Sequence, residues 1–177
     1  MPVCLFTFHA YRSWMPDRPQ GYVRRHEGIL PPDAEMAERY NRNAKHRPVL
    51  FEESHHWTMI AEVDHVCGER DWQLHETAGV RTHLHVLLGW RTEERPKAIA
   101  NHFKRRLGRA LSLAANRPGP WFVRGESKQP VRDDGHFEYL LREYLPKHGR
   151  FRWTIWKHRR ARGELTEYGP PRRNESQ

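Results

Sequence analysis

From Thr82 to Trp90 the chain reads Thr-His-Leu-His-Val-Leu-Leu-Gly-Trp, and this alternation restricts the backbone more than any other segment does. Side chains two apart share one face of a strand. A strand here sends Leu84, Val86 and Leu88 into one face and projects His83 and His85 together from the other. Residues 72 to 80 also read as a strand, and the tight connection near Arg81 joins the two as a hairpin.

Other segments fall into place around that hairpin. Residues 3 to 8, Val-Cys-Leu-Phe-Thr-Phe, read as a buried strand. Residues 52 to 70 read as a helix, with Met59, Ile60, Val63, Val66 and Cys67 at helical spacing and Gly68 as a terminator. Residues 94 to 114 read as another, with Ile99, Phe103, Leu107 and Leu111 forming one apolar stripe. Residues 119 to 123 and 128 to 132 are further strand candidates. A third helix runs from 136 to 145, after Gly135 and up to Pro146, and residues 151 to 157 read as a last strand. Strand, helix, strand, strand, helix, strand is a ferredoxin-like order: an α+β fold with an antiparallel sheet and helices packed on one face.

A long irregular stretch, about residues 9 to 50, is punctuated by Pro16, Pro19, Gly21, Gly28, Pro31, Pro32 and Pro48. Loops of that length inside a domain are more often functional than idle. Within it Asp33 is a candidate N-cap for a short helix through Ala34, Met36 and Ala37. Residues 1 to 157 are expected to form one domain, and 158 to 177 a basic, flexible tail.

Lys plus Arg number 31 against 22 Asp plus Glu, a net charge of +9, which favours a polyanionic partner. The two cysteines, Cys4 and Cys67, lie in apolar patterns and read as small core residues in a reducing compartment. No apolar run is long enough to span a bilayer. The start Met1-Pro2-Val3-Cys4 lacks the features of a secretion signal, so a cytoplasmic location is expected.

Two imidazoles side by side on a strand can share one cation. Among thirteen histidines, a chance His-x-His pair of ordinary surface residues is the competing reading. The helix at 136 to 145 offers a third group. Tyr139 and Glu143 are four apart, one above the other, so a carboxylate and a phenol can face the imidazoles. The ion would polarise a phosphate, and the phenol could attack phosphorus. The same helix also reads structurally, with Phe137, Leu140, Leu141 and Tyr144 as a core stripe and Glu143 paired to Lys147. Basic side chains that can follow a phosphate backbone are Arg24, Arg25, Lys97, Lys104, Arg105, Arg106, Arg109, Lys157, Arg159 and Arg160. Trp14, Tyr22, Trp121, Trp153 and Trp156 lie near such charges and can stack on unpaired bases, whereas Phe51 and Trp57 read as core.

His83-Leu84-His85 resembles the His-hydrophobic-His motif of HUH endonucleases, and the Tyr139 helix resembles that of their single-tyrosine transposases, in particular the REP-associated tyrosine transposases and related small transposases of bacterial insertion sequences. The segments from Phe6 to Trp14, Gly28 to Asp33, Val66 to Trp72 and His102 to Leu107 are similar to that family's patterns, in the same order. The resemblance implies a divalent ion, Mg²⁺ or Mn²⁺, on His83, His85 and a polar residue of the tyrosine helix. It implies cleavage of single-stranded DNA, often beside a hairpin, through a 5′-phosphotyrosine link that conserves the bond for strand transfer. Members are monomers or homodimers.

Carried over by position, Tyr139 is the nucleophile and Glu143 the third ligand, where the family commonly has Asn or Gln. Tyr144-Leu145-Pro146-Lys147 fits a second pattern, the Tyr-x-x-Lys of HUH replication initiators, with His148 four past Tyr144. Tyr144 is therefore the rival nucleophile with Lys147 near the phosphate, and Tyr139 is preferred because Pro146 disrupts the turn after Tyr144. Two further functions fit the same residues: a non-catalytic hairpin-binding protein descended from such an enzyme, and a rolling-circle replication initiator.

Overall fold

The computed structural model describes residues 1–24 and 27–165. The chain runs β1 (Val3–His9), β2 (Tyr22–Arg24), β3 (Gly28–Leu30), α1 (Ala34–Arg42), α2 (Glu53–Arg70), β4 (Gln73–Val80), β5 (His83–Gly89), α3 (Pro96–Ala114), β6 (Ser127–Pro130) and α4 (Asp134–Tyr139). A π-helical turn (Leu140–Tyr144), α5 (Leu145–Lys147), β7 (Phe151–Arg152) and α6 (Trp153–Ala161) complete it. The main sheet has five strands in the order β6-β1-β5-β4-β7, every neighbouring pair antiparallel. The fold is thus α+β with the expected antiparallel sheet and its central β4–β5 hairpin.

Strand alternation divides the side chains between two faces. Cys4, Phe6 and Phe8 of β1 and Leu84, Val86 and Leu88 of β5 join Trp57, Ile60 and Val63 of α2 and Ile99, Phe103 and Leu107 of α3 in the larger core. Each such buried side chain stabilises the fold by about 1.5–3 kcal/mol relative to exposure. The opposite face is covered too. There Leu5, Ala78 and Leu87 pack against Leu140 and Leu145, so the short helical stretch around the π turn forms a thin second layer. His83 and His85 share this second face with Thr7 and His9, their cross-strand partners on β1.

Several elements differ from the sequence expectations. Helix α2 passes Gly68 and ends at Arg70, capped by Asp71, whose φ of 52° is a left-handed conformation that Asp tolerates better than most residues. The irregular stretch holds the β2–β3 hairpin as well as α1, whose N-cap Asp33 accepts from the Met36 backbone N–H at 2.7 Å. Of the strand expected at 119 to 123, one bridge remains, Ala10 to Phe122.

Pro146 does not end the third helix, which continues to Lys147. The backbone N–H of Leu145 reaches back to the Leu140 carbonyl, five residues away. This wide turn falls just before Pro146, whose ring would otherwise clash with the preceding turn of a regular helix. Past Phe151–Arg152 the expected last strand becomes α6. The buried Glu76 carboxylate takes Arg152 Nη2 at 2.6 Å and the Thr154 backbone N–H at 3.4 Å, and also accepts from the Thr154 hydroxyl. A carboxylate at a helix N-terminus satisfies its free N–H groups and favours the helix. Helix α6 runs past residue 157 to Ala161, and Leu165 is buried against the larger core; the rest of the expected tail, from residue 166, lies outside the described residues. No helix among the described residues is long and apolar enough to cross a membrane.

Candidate metal centre

The centre is built from β5 and the turn that follows α5. His83 and His85 leave the same face of β5, with ring centroids 4.7 Å apart. His148 reaches them from the other layer, and one potential ligand atom from each of the three imidazoles lies within 4.8 Å of the others. That spacing suits three nitrogens around one ion.

Neighbouring hydroxyls prepare the first two rings. Thr7 Oγ1 lies 2.8 Å from His85 Nδ1, across the β1–β5 ladder. Thr82 Oγ1 lies 3.0 Å from His83 Nδ1. A hydrogen bond at Nδ1 orients the ring and leaves Nε2 as the ligating atom. His85 Nε2 is buried without a hydrogen-bond partner among the described residues, as expected of an atom shaped for a ligand. Burial first, then the neighbouring imidazoles, holds His85 neutral, its pKa pushed down to about 3. Burial likewise pushes His83 down to about 4, helped by His148 and Arg18. Both rings are therefore in the metal-binding protonation state across the neutral range. The residues present fit a divalent ion.

A phenol lies against this group. The Tyr144 ring centroid is 5.5 Å from that of His85 and 4.0 Å from that of His148. Its pKa is raised, by burial first and then by Tyr139, so attack on phosphorus requires activation. The Tyr139 ring is 6.3 Å from Tyr144 and half exposed. The π turn explains this pairing, because an extra residue per turn brings positions five apart toward one face. It also turns Glu143 outward. That carboxylate is exposed and faces Lys147 Nζ at 3.4 Å, as the structural reading of the helix has it. His148, noted in the sequence only as lying four past Tyr144, joins His83 and His85 in the group whose ligand atoms could hold one ion.

The basic candidates are scattered. Lys97, Arg105 and Arg109 are exposed on α3, in the helical layer on the far side of the sheet from the histidines. On the same helix Arg106 is tied to Glu62 and Glu69, each at 2.6 Å. Lys104 is ion-paired with Glu126 at 3.1 Å and donates to the Val123 carbonyl at 3.0 Å, a brace for the chain before β6. Arg24 pairs with Glu27 at the β2–β3 turn, and Arg25 lies outside the described residues. On α6, Lys157 lies over Trp153, Arg159 pairs with Glu53 and Arg160 lies over Trp156. Lys147, at the end of α5, belongs to the histidine-bearing layer. Trp121 and Trp156 are core residues, whereas Trp14 is 40% exposed. Arg18, absent from the sequence candidates, lies with its guanidinium 3.8 Å above the Trp14 ring.

The chain has an α+β fold in which an antiparallel sheet carries paired histidines opposite a tyrosine-bearing helical turn. Among solved structures, this chain is similar to that of a REP-associated tyrosine transposase bound to a REP hairpin, at a TM-score of 0.50 and 10% identity, over 94% of this chain and 84% of that one. No family model matches the chain, and no curated protein does.

Proposed function

We propose that this protein is a metal-dependent tyrosine endonuclease and strand transferase acting on single-stranded DNA, beside a hairpin such as the one bound by its structural neighbour. The observation that carries this reading is the placement of the Tyr144 phenol against two imidazoles of a three-histidine cluster.

His83, His85 and His148 would hold the ion, whose positive charge would polarise the scissile phosphate. In the proposed reaction the Tyr144 oxygen attacks phosphorus as the phenol loses its proton. The bond to the 3′-oxygen breaks, and that oxygen leaves as a hydroxyl after taking up a proton. A 5′-phosphotyrosine remains, and a second 3′-hydroxyl can reverse the chemistry to join a new strand. Neither water nor a nucleotide is consumed. Tyr139, half exposed one wide turn away, is the alternative nucleophile.

The donor set bears on the ion. Three imidazoles suit Mn²⁺ better than Mg²⁺, which prefers oxygen ligands and keeps much of its water. The test is incubation of the protein with hairpin oligonucleotides bearing single-stranded flanks, with Mn²⁺ or Mg²⁺. A covalent protein–DNA adduct resistant to denaturant is expected. Tight, salt-dependent hairpin binding with no adduct under any divalent ion would instead identify a non-catalytic hairpin-binding protein.

A further inference from the structure

The histidine cluster continues into a part of the molecule that the reaction above does not use. His9, at the end of β1, lies directly opposite His83 in the ladder, with ring centroids 5.4 Å apart. The Trp14 ring follows at 4.5 Å from His9, and Arg18 lies over Trp14 at 3.8 Å. Imidazole, indole and guanidinium thus form a short stack leading away from the metal centre.

That segment is fixed to the sheet. The Ala10 N–H and the Ser13 hydroxyl both donate to the Thr82 carbonyl, at 2.8 Å and 3.0 Å, immediately before His83. The Asp33 N–H donates to the Pro16 carbonyl at 3.0 Å, so the start of α1 braces the loop. Arg18 is therefore placed by the same strand that places the histidines.

Its electrostatic state is unusual. Among the described residues no carboxylate pairs with Arg18, and its Nη1 is shut away from solvent without a hydrogen-bond partner. Most other basic residues near the sheet have partners: Lys104 has Glu126, Arg152 has Glu76 and Lys128 has Glu126. A guanidinium with a dry, unsatisfied N–H is costly unless an anion completes it. Arg18 lies 3.8 Å above Trp14, which is 4.5 Å from His9, and His9 is 5.4 Å from His83, so an anion at Arg18 also lies close to the metal centre. The planar fork of Arg matches a phosphate, and the exposed indole below it offers a face to a base.

We infer that Arg18, seated on Trp14 beside His9 and His83, is a phosphodiester-binding group that holds the nucleic-acid strand at the histidine centre. This rests on the proposed function for the identity of the anion, a single DNA strand. Trp14 positions the guanidinium and provides the stacking surface for the adjoining nucleotide.

The test measures binding of a fluorescent oligothymidylate to the full chain, with and without Mn²⁺, over a range of salt. Arg18→Gln is expected to weaken binding roughly tenfold and to lower the slope of log Kd against log salt by about 0.7, one phosphate contact on a single strand. Arg18→Lys keeps the charge and is expected to recover the slope while losing part of the affinity. Unchanged affinity and slope in Arg18→Gln would overturn the inference. Should that variant unfold, phenylglyoxal labelling of the wild-type chain decides: the Arg18 peptide is protected by oligothymidylate if the inference holds and labelled equally with and without the strand if it does not. Unchanged binding in Arg18→Gln, in a protein that forms the adduct, would sink the inference and leave the proposed function standing. An Arg18-dependent affinity in a wild-type protein that never forms an adduct would do the reverse.

Discussion

The Tyr144 ring stacks on the His148 ring, 4.0 Å between centroids and 27° from parallel. Residues four apart on a regular helix are neighbours, and here Tyr144 ends the π turn, with His148 closing α5 through N–H contacts to the Tyr144 and Leu145 carbonyls at 3.1 and 3.2 Å. One short segment therefore presents both a phenol and an imidazole to His85. Under the proposed reaction, Tyr144→Phe abolishes the protein–DNA adduct, while Tyr139→Phe retains it at close to the wild-type rate. Gel analysis of denatured reaction mixtures reads both. Persistence of the adduct in Tyr144→Phe together with its loss in Tyr139→Phe would reverse the assignment.

The third ligand can be tested apart from catalysis. Glu143 is exposed and its carboxylate faces Lys147 at 3.4 Å, so Glu143→Gln removes a solvated pair worth little. Stability within about 0.5 kcal/mol of wild type and an unchanged Mn²⁺ affinity are expected. His148→Ala removes one of three clustered nitrogens and should weaken Mn²⁺ binding at least about tenfold with little effect on folding, since the side chain is exposed. Titration calorimetry on the three proteins checks this. A Glu143→Gln protein that loses the ion would return the carboxylate to the centre.

Gly149 sets where His148 can stand. A Cβ at Gly149 would lie 2.4 Å from the Gly79 nitrogen and 2.6 Å from its carbonyl oxygen, closer than any real side chain tolerates. The turn after α5 is thus pressed against the β4 backbone, and no flexible side-chain end is available to yield. Gly149→Ala must push the turn off the sheet, drawing His148 away from His83 and His85. An approximately tenfold or greater loss of metal affinity is expected, comparable to His148→Ala. With Co²⁺ as a probe, the visible spectrum should change toward that of His148→Ala. A wild-type spectrum and affinity in a folded Gly149→Ala protein would show that the close approach does not position the ligand.

The hairpin and the two long helices are legible in the sequence because their one-sided burial leaves a strict period. Leu84, Val86 and Leu88 alternate, and Ile99, Phe103, Leu107 and Leu111 recur by fours, on elements that face a single core. Residues 151 to 157 carry a misleading signal: Phe151, Trp153 and Ile155 alternate as in a strand, and the aromatic and β-branched side chains favour one by composition. What makes Trp153–Ala161 a helix is Glu76, a carboxylate 78 positions before Thr154. The third histidine is obscured for a related reason. A π turn shifts the facing positions by one, so the four-residue spacing that pairs Tyr139 with Glu143 no longer describes the face turned to the metal centre. Arg18 becomes distinctive only when the fold brings Trp14 against His9.

A histidine outside the centre contributes to the response to acid. His56 on α2 is fully buried, stacked on Phe151 at 4.6 Å and set edge-on to Phe51 at 5.7 Å. Its ring fills the space that Gly79 leaves by lacking a Cβ. Burial, reinforced by His55 and His83 and opposed by the Val80 backbone, pushes its pKa down to about 4. In the unfolded chain the ring titrates near 6.5, the ordinary value. Between those two values the unfolded chain binds a proton that the folded one excludes, so stability falls as pH drops from about 6.5 toward 4. For this group alone the loss is about 3 kcal/mol across the window. Urea midpoints for the metal-free protein should therefore decline steadily from pH 7 to pH 4.5. In His56→Phe, which keeps an aromatic ring on Phe151 but cannot take a proton, the decline should be shallower by that contribution, whatever the variant's stability at neutral pH. Parallel pH profiles for the two proteins would mean that His56 is as easily protonated in the folded chain as in the unfolded one.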